Sequence, residues 1–215
     1  MKHHDITKLC ADSLRSFTND KYGIKLKASH AHEIVAACFS YQSRAALLAD
    51  MAYPLSKLQQ AEFILLDASL PLVNSRIKEL QLELPDASLL AEGFYSPLLN
   101  QKWFVDKIWP SFRDLAVHLV DQRMQEWNRM WQMSPAFEWD MDVEITHKVD
   151  GAVLTVNVGH STDKGERLRD RKFVINLPRV AANIGYGTPS ISETRYSGQF
   201  HDPNFNPDFT MREIA

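Results

Sequence analysis

The 215-residue chain reads as an α+β protein, a helical N-terminal portion that ends in a long boundary helix, followed by a small antiparallel β-sheet. Glycine placement separates the two parts: only Gly23 and Gly93 precede Met133, whereas Gly151, Gly159, Gly165, Gly185, Gly187 and Gly198 follow it. Apolar residues recur at spacings of three and four before that point and alternate with polar ones after it, the periods of a helix and of a half-buried strand. The expected division is residues 1–133, helical, and residues 134–215, an antiparallel β portion packed on the long helix and closed by an irregular tail.

Ile6, Leu9, Cys10, Leu14 and Phe17 line one face of a first helix over 5–18, and Gly23 stands where a stop is needed. A second helix starts after Ser29, carries Ile34, Val35, Ala37 and Cys38, and turns at Ser40-Tyr41-Gln42 into a third helix through Ala45 to Leu48. Small Ala36 lets the pair cross closely, so 29–50 has the form of a helix-turn-helix hairpin. Ser56 with Gln59 has capping-box spacing, and Ser96-Pro97 sets a hydroxyl before a first-turn proline; both predict helix starts. The stretch from Leu55 to Leu84 reads as helical and broken near Pro71. The strongest helix runs from about Pro110 to Gln132, where Phe112, Ala116, Val120, Met124, Trp127 and Trp131 form one continuous stripe. With Trp103, Trp109 and Trp139 nearby, the expected use of these rings is core packing where the helices meet the sheet.

Past Met133, Phe137, Trp139, Met141, Val143 and Ile145 alternate with Glu138, Asp140, Asp142, Glu144 and Thr146, a strand with one apolar and one largely acidic face. Asp150-Gly151 predicts a hairpin turn into a strand over Ala152 to Val158. A basic loop with Lys164, Arg167, Arg169, Arg171 and Lys172 then leads to a third strand, Phe173 to Leu177, and a last strand falls around Glu193 to Phe200. The simplest use of the acidic face is to meet that basic run or water.

Composition narrows the function classes. At 45% hydrophobic the chain can bury a sizeable core, which excludes disorder over its whole length. Lys and Arg number 24 against 27 Asp and Glu, a formal charge of −3, too balanced for a generic polyanion or anionic-membrane binder. Up to Met133 the charges cancel at 15 basic and 15 acidic residues, so the 9 basic and 12 acidic residues that follow carry the whole excess. No run approaches ~18 consecutive apolar residues. Met1-Lys2-His3-His4-Asp5 has no apolar segment of a signal peptide, and a cytoplasmic location without membrane contact is expected. Cys10 and Cys38 sit inside helical apolar patterns and read as reduced thiols rather than as a zinc or disulfide framework.

Candidate chemistry is sparse. His30, His32 and Glu33 are the metal candidates, yet residues two apart point to different sides of a helix and no third histidine or acid follows at ligand spacing. Asp140 and Asp142 lie side by side on one strand face and could hold magnesium or do acid–base work, although a row of carboxylates on a regular strand is also an ordinary solvent face. Gly185-Tyr186-Gly187-Thr188 lacks the lysine and following helix of a phosphate loop, and Ser161, Thr162 and Ser197 lack a nucleophile elbow. No cofactor is implied, and no catalytic residue is assigned. In the hairpin, a groove-reading helix would have Gln42, Ser43 and Arg44 to contact phosphates and base edges before the run turns to Ala-Ala-Leu-Leu-Ala.

The run from Lys27 to Asp50 also resembles a short helical module of bacterial proteins, some of them members of the glyoxalase superfamily. Ser29, His30, Glu33, Val35, Ala36, Tyr41, Ser43, Ala46 and Leu47 carry the resemblance, and Ser40 stands where the module has glycine. The resemblance implies a bacterial source for this chain. It covers about a tenth of the sequence, and no βαβββ repeat with His and Glu on separate strands follows, so glyoxalase activity is not implied. The expectation is a non-enzymatic interaction or regulatory protein that binds a protein, or less readily a nucleic acid, through Gln42, Ser43 and Arg44 and the basic run Lys164, Arg167, Arg169, Arg171 and Lys172. The alternatives are a small metal-dependent hydrolase or lyase built on His30, His32 and Glu33 or on Asp140 and Asp142, and a structural subunit of a larger assembly. Oligomeric state is not legible at this level.

Overall fold

A computed structural model describes residues 4–66, 69–100, 104–131, 140–161 and 167–195. The architecture is α+β, as the sequence predicts. Its elements run α1 (His4–Tyr22), α2 (Ala28–Cys38), α3 (Arg44–Ala49), β1 (Phe63–Leu65), α4 (Leu70–Glu79), α5 (Ala87–Leu99), β2 (Ile108–Trp109), α6 (Phe112–Trp131), β3 (Asp140–Lys148), β4 (Gly151–Ser161), β5 (Arg167–Ala181), β6 (Gly185–Tyr186) and β7 (Ser190–Arg195). Among the described residues no helix is long and apolar enough to cross a membrane.

The sheet is mixed rather than purely antiparallel. Its strand order is β2-β1-β6-β5-β4-β3, with β7 paired to β5, and β1 runs parallel to β2. The parallel pair comes from the N-terminal portion, so two short strands there complete a sheet that the alternating pattern places wholly after Met133. Three residues at Phe63–Leu65 and two at Ile108–Trp109 are too few to show a period, which is why the sequence hides them. Leu65 packs with the sheet core, while its neighbours Ile64 and Leu66 pack with the helical core. Strand alternation thus makes β1 the partition between two cores.

On one side of that partition α1, α2, α4 and α5 bury Leu14, Ile34, Leu90, Phe94 and Leu98, and the β5–β6 turn inserts Ala181, Ala182 and Ile184 among them. On the other side α6 lays Phe112, Leu115, Ala116, Leu119 and Val120 on a face formed by Leu154, Val156, Phe173, Ile175 and Leu177. Met141 and Val143 join this core from β3, as their alternation predicts; Ile145 on the same side of the strand remains 41% exposed. Trp109 packs here too, its ring 4.7 Å from that of His118. Trp127 and Trp131 lie in α6, and Trp103, Phe137, Glu138 and Trp139 fall outside the described residues.

Several boundaries differ from the sequence reading for identifiable reasons. Ser56 and Gln59 lie within a 3₁₀ turn, Leu55–Gln60, that begins after Pro54 with no side-chain cap. Pro71 occupies the first turn of α4 and so starts a helix instead of breaking one. Ser96-Pro97 lies inside α5, whose start is capped by Asp86 accepting from the Ser88 amide at 2.9 Å. Pro97 is tolerated one turn from the helix end, and the Ser96 hydroxyl meets Ser13 on α1 at 3.0 Å instead of capping. Arg167, Arg169, Arg171 and Lys172 belong to the long strand β5 and not to a loop, while Lys164 lies outside the described residues. Gly185-Tyr186 forms the short strand β6, and the last described strand is β7 at Ser190–Arg195.

A hairpin turn joins β3 and β4 as expected, but its two residues are Val149 and Asp150 rather than Asp150 and Gly151, and Gly151 opens β4 paired with Lys148. At Gly151 an added Cβ would stand 2.1 Å from the carbonyl oxygen of Leu177, a backbone atom that cannot swing away. Gly151→Ala should therefore lower the unfolding free energy by about 2–3 kcal/mol. Urea unfolding of the variant checks this, and a change below about 0.5 kcal/mol would contradict it.

Candidate functional site

The hairpin of α2 and α3 is built by its turn. Tyr41 N–H donates to Ala36 O at 2.9 Å and Ser40 N–H to Ala37 O at 2.9 Å, the paired bonds of a Schellman closure. Such a closure needs a left-handed residue, and Ser40 supplies it at φ 62°. Ser43 then caps α3 by accepting from the Ala46 amide at 3.1 Å, and Glu33 accepts from the Arg44 amide at 3.1 Å. Arg76 of α4 donates to the carbonyl of Gln42. The Gln42 carbonyl, the Ser43 hydroxyl and the Arg44 amide are thus committed to the turn. The side chain of Arg44 points to solvent, and α3, only six residues long, also exposes Ala45, Ala46, Leu48 and Ala49 while burying Leu47.

At the end of α3 the chain meets the sheet through one guanidinium. Arg179 donates from Nη2 to Asp50 Oδ2 at 2.6 Å and to the Tyr41 hydroxyl at 3.0 Å, from Nη1 to Val149 O at 3.4 Å, and from Nε to Ala182 O. Tyr41 O–H donates to the same Asp50 oxygen at 2.5 Å, and the amides of Ala52 and Tyr53 donate to Asp50 Oδ1 at 3.1 and 2.9 Å. The guanidinium carbon stacks 4.3 Å from the centre of the Tyr53 ring. Side chains of Arg179 and Asp50 are 12% and 15% exposed, so the pair is mostly withdrawn from water. Burial pushes the Asp50 carboxyl up, but the Tyr41 hydroxyl, the Tyr53 amide, Arg179 and the Ala52 amide together hold it below the usual aspartate range. Burial and then the bond to Asp50 push the Tyr41 phenol up, so it stays protonated as a donor. Nearby, Asn183 Nδ2 donates to Ser40 O at 2.8 Å, a second tie between turn and sheet.

The remaining predicted residues do not gather at this place. Arg171 pairs with Glu193 at 3.0 Å across β5 and β7, and Arg195 reaches the same carboxylate oxygen at 3.3 Å. On the face turned away from α6, Asp142, Asn157, Lys172 and Thr194 form one register row across four strands. Of the acidic strand and the basic run, Asp142 and Lys172 lie on this face, with Asn157 between them. Asp140 stands in the next outward row, opposite Gly159.

His30, His32 and Glu33 lie along α2, and among the described residues no three His, Cys, Asp or Glu side chains are grouped to hold a metal. Partial burial, then the charge of Arg44, keeps the His32 imidazole below its ordinary pKa and thus neutral at pH 7. A 530 Å³ groove beside α1, lined by Asp12, Arg15 and Lys25 among others, takes in none of the candidates. Nor does a 310 Å³ groove beside Lys148, Asn176 and Ser190. Burial raises the Cys10 thiol to about 12 and Cys38 well above its ordinary value, so neither is a nucleophile at neutral pH.

Sequence reasoning missed Asp50 and Arg179 as a pair. They lie 129 positions apart, and no local pattern links them. Tyr41 was visible within the module, and an arginine directly after Pro178 at a strand end was the one further cue.

Two consequences can be measured. Glycine fits the left-handed turn without a Cβ, so Ser40→Gly should raise stability by about 0.5–1 kcal/mol and Ser40→Val should lower it by more; the unfolding midpoints decide. Because the folded pKa of Asp50 lies below its unfolded value of about 3.9, its contribution is complete above that pH and is lost as pH falls through the depressed folded value. Arg179→Met should cost about 3–5 kcal/mol at pH 7 by stranding the carboxylate. Asp50→Asn should flatten the acid limb of the stability–pH curve, and an unchanged limb would contradict the assignment. Comparison with protein-family models, with characterised proteins and with solved structures finds no match for this chain.

Proposed function

We propose that this protein acts by binding another protein through the exposed side of α3 and the residues that follow it. The observation that carries the reading is the pair Leu48 and Met51, 52% and 83% exposed, set on a backbone that Asp50, Tyr41 and Arg179 hold rigid between them. Exposed single apolar residues are common, but here Ala45, Ala46 and Ala49 extend the same short helix with small apolar side chains. A preorganised apolar surface loses little conformational entropy on binding, which favours a protein partner.

Nucleic acid is the weaker reading. α3 offers Arg44 as its one cation, and Arg171 is shared with Glu193 rather than projected at a phosphate. The scattered placement of His30, His32, Glu33 and Asp142 gives the hydrolase or lyase reading no convergent polar site to rest on.

Co-purification from the native host, with and without nuclease, tests the proposal when wild type is compared with a Leu48→Glu, Met51→Glu double variant. Partners should survive nuclease and about 0.5 M salt and should disappear with the double variant. Loss on nuclease treatment would point to nucleic acid, and partners indifferent to the double variant would overturn the α3 assignment.

A further inference from the structure

β3 ends the strand order of the sheet; among the described residues no strand pairs with its outer side, where Arg113 Nη2 of α6 donates to Met141 O at 3.4 Å. It is nine residues long, and from Glu144 onward every residue is exposed. An edge strand of this length presents backbone donors and acceptors to a further strand. Its side chains are not those of a blunted edge alone: Ile145 is 41% exposed and Val149, in the adjoining turn, is 85% exposed.

Which backbone groups face outward follows from the turn. Lys148 and Gly151 flank a two-residue loop and pair directly, so theirs is a hydrogen-bonded pair. Alternation then directs Asp142, Glu144 and Thr146 toward β4 and sends the N–H and C=O groups of Met141, Val143, Ile145 and His147 outward. A second strand in the antiparallel sense can bond only to these.

We infer that β3 pairs antiparallel with β3 of a second copy of this chain, about a twofold axis through Ile145, to make one sheet continuous across two protomers. The charges disfavour the axes through Val143 and Glu144, and the exposed apolar side chains choose between the two that remain. An axis through Val143 sets Asp142 against Glu144 of the second copy, twice, and an axis through Glu144 sets that carboxylate against itself. An axis through Thr146 sets Glu144 against Lys148 of the second copy, twice, but brings Asp142 against Asp150 and covers the exposed Ile145 with His147 rather than with an apolar partner. The axis through Ile145 sets Asp142 against Lys148 of the second copy, twice, and Glu144 against Thr146. Its single kind of like-charge contact, Asp140 with Asp150, falls at the outer margin. On the other face the same register covers Ile145 with Ile145 of the second copy, sets Val143 against His147, and brings Met141 to the exposed Val149. An isologous contact of this kind closes at two copies. The pairing makes no use of Leu48 or Met51, so it goes beyond the α3 reading and stands or falls separately.

Sedimentation velocity of the full chain tests the inference. Wild type should be a dimer at micromolar concentration. Asp142→Lys alone and Lys148→Asp alone each place like charges across the axis and should weaken the dimer about tenfold or more. The combined D142K/K148D chain restores both pairs with signs exchanged and should dimerise as wild type does. As a check that does not depend on charge, Ile145→Cys under mild oxidation should give a covalent dimer that reductant cleaves. A monomeric wild type overturns the inference. A dimer indifferent to either single charge reversal overturns it, and so does a folded double variant that stays monomeric.

Discussion

The contact of Arg179 with Asp50 carries constraints from four separate pieces of chain. A guanidinium has five donors in a fixed plane, and here they meet a carboxylate at the end of α3, a phenol in the α2–α3 turn, a carbonyl in the β3–β4 turn and a carbonyl in the β5–β6 turn. Lysine has the charge but not the fork, so it could satisfy one or two of these acceptors. Desolvation of a half-buried pair is costly unless its remaining hydrogen-bonding capacity is filled. The Ala52 and Tyr53 amides fill that of Asp50, and the Tyr53 ring covers the face of the guanidinium. What the pair contributes is orientation as much as stability: it fixes how the helical hairpin sits against the sheet.

That orientation is what joins two cores into one structure. β1 contributes Leu65 to one and Ile64 to the other, and the β5–β6 turn passes Ala181, Ala182 and Ile184 from the sheet into the helices. Ala182 adopts φ 47°, a conformation costly for alanine, and its amide bonds to Tyr53 O at 2.8 Å. The turn is therefore held by the same segment, Asp50 to Tyr53, that anchors the guanidinium. The surface proposed for protein binding lies directly on this segment. Its side chains face solvent, while the backbone beneath them is fixed from behind.

The sheet face turned away from α6 shows how charges of the C-terminal part are placed. Asp142 of β3 and Lys172 of β5 stand in one row separated by Asn157, so attraction between them acts across one intervening strand. Arg171 points to the other face and meets Glu193. Arg171 and Lys172, neighbours in sequence, are thus sent to opposite faces by strand alternation.

By itself the sequence determined the elements whose signal is long and periodic: α1, α2, α6, the hairpin of β3 and β4, and the centre of β5. Each buries one face of an amphipathic pattern, and burial of about 1.5–3 kcal/mol per large apolar side chain is enough to commit the local chain. It also marked the α2–α3 turn, where Ser40 takes the left-handed conformation that glycine adopts more readily. Only the tertiary structure decided the rest. β1, β2 and β6 have two or three residues each and exist because a neighbour's edge offers them hydrogen bonds, an influence no local window contains. Arg167–Lys172 became strand because β4 continues beside them, and Asp50 found Arg179 because packing closed a loop of 129 residues between two groups that carry no mark of each other.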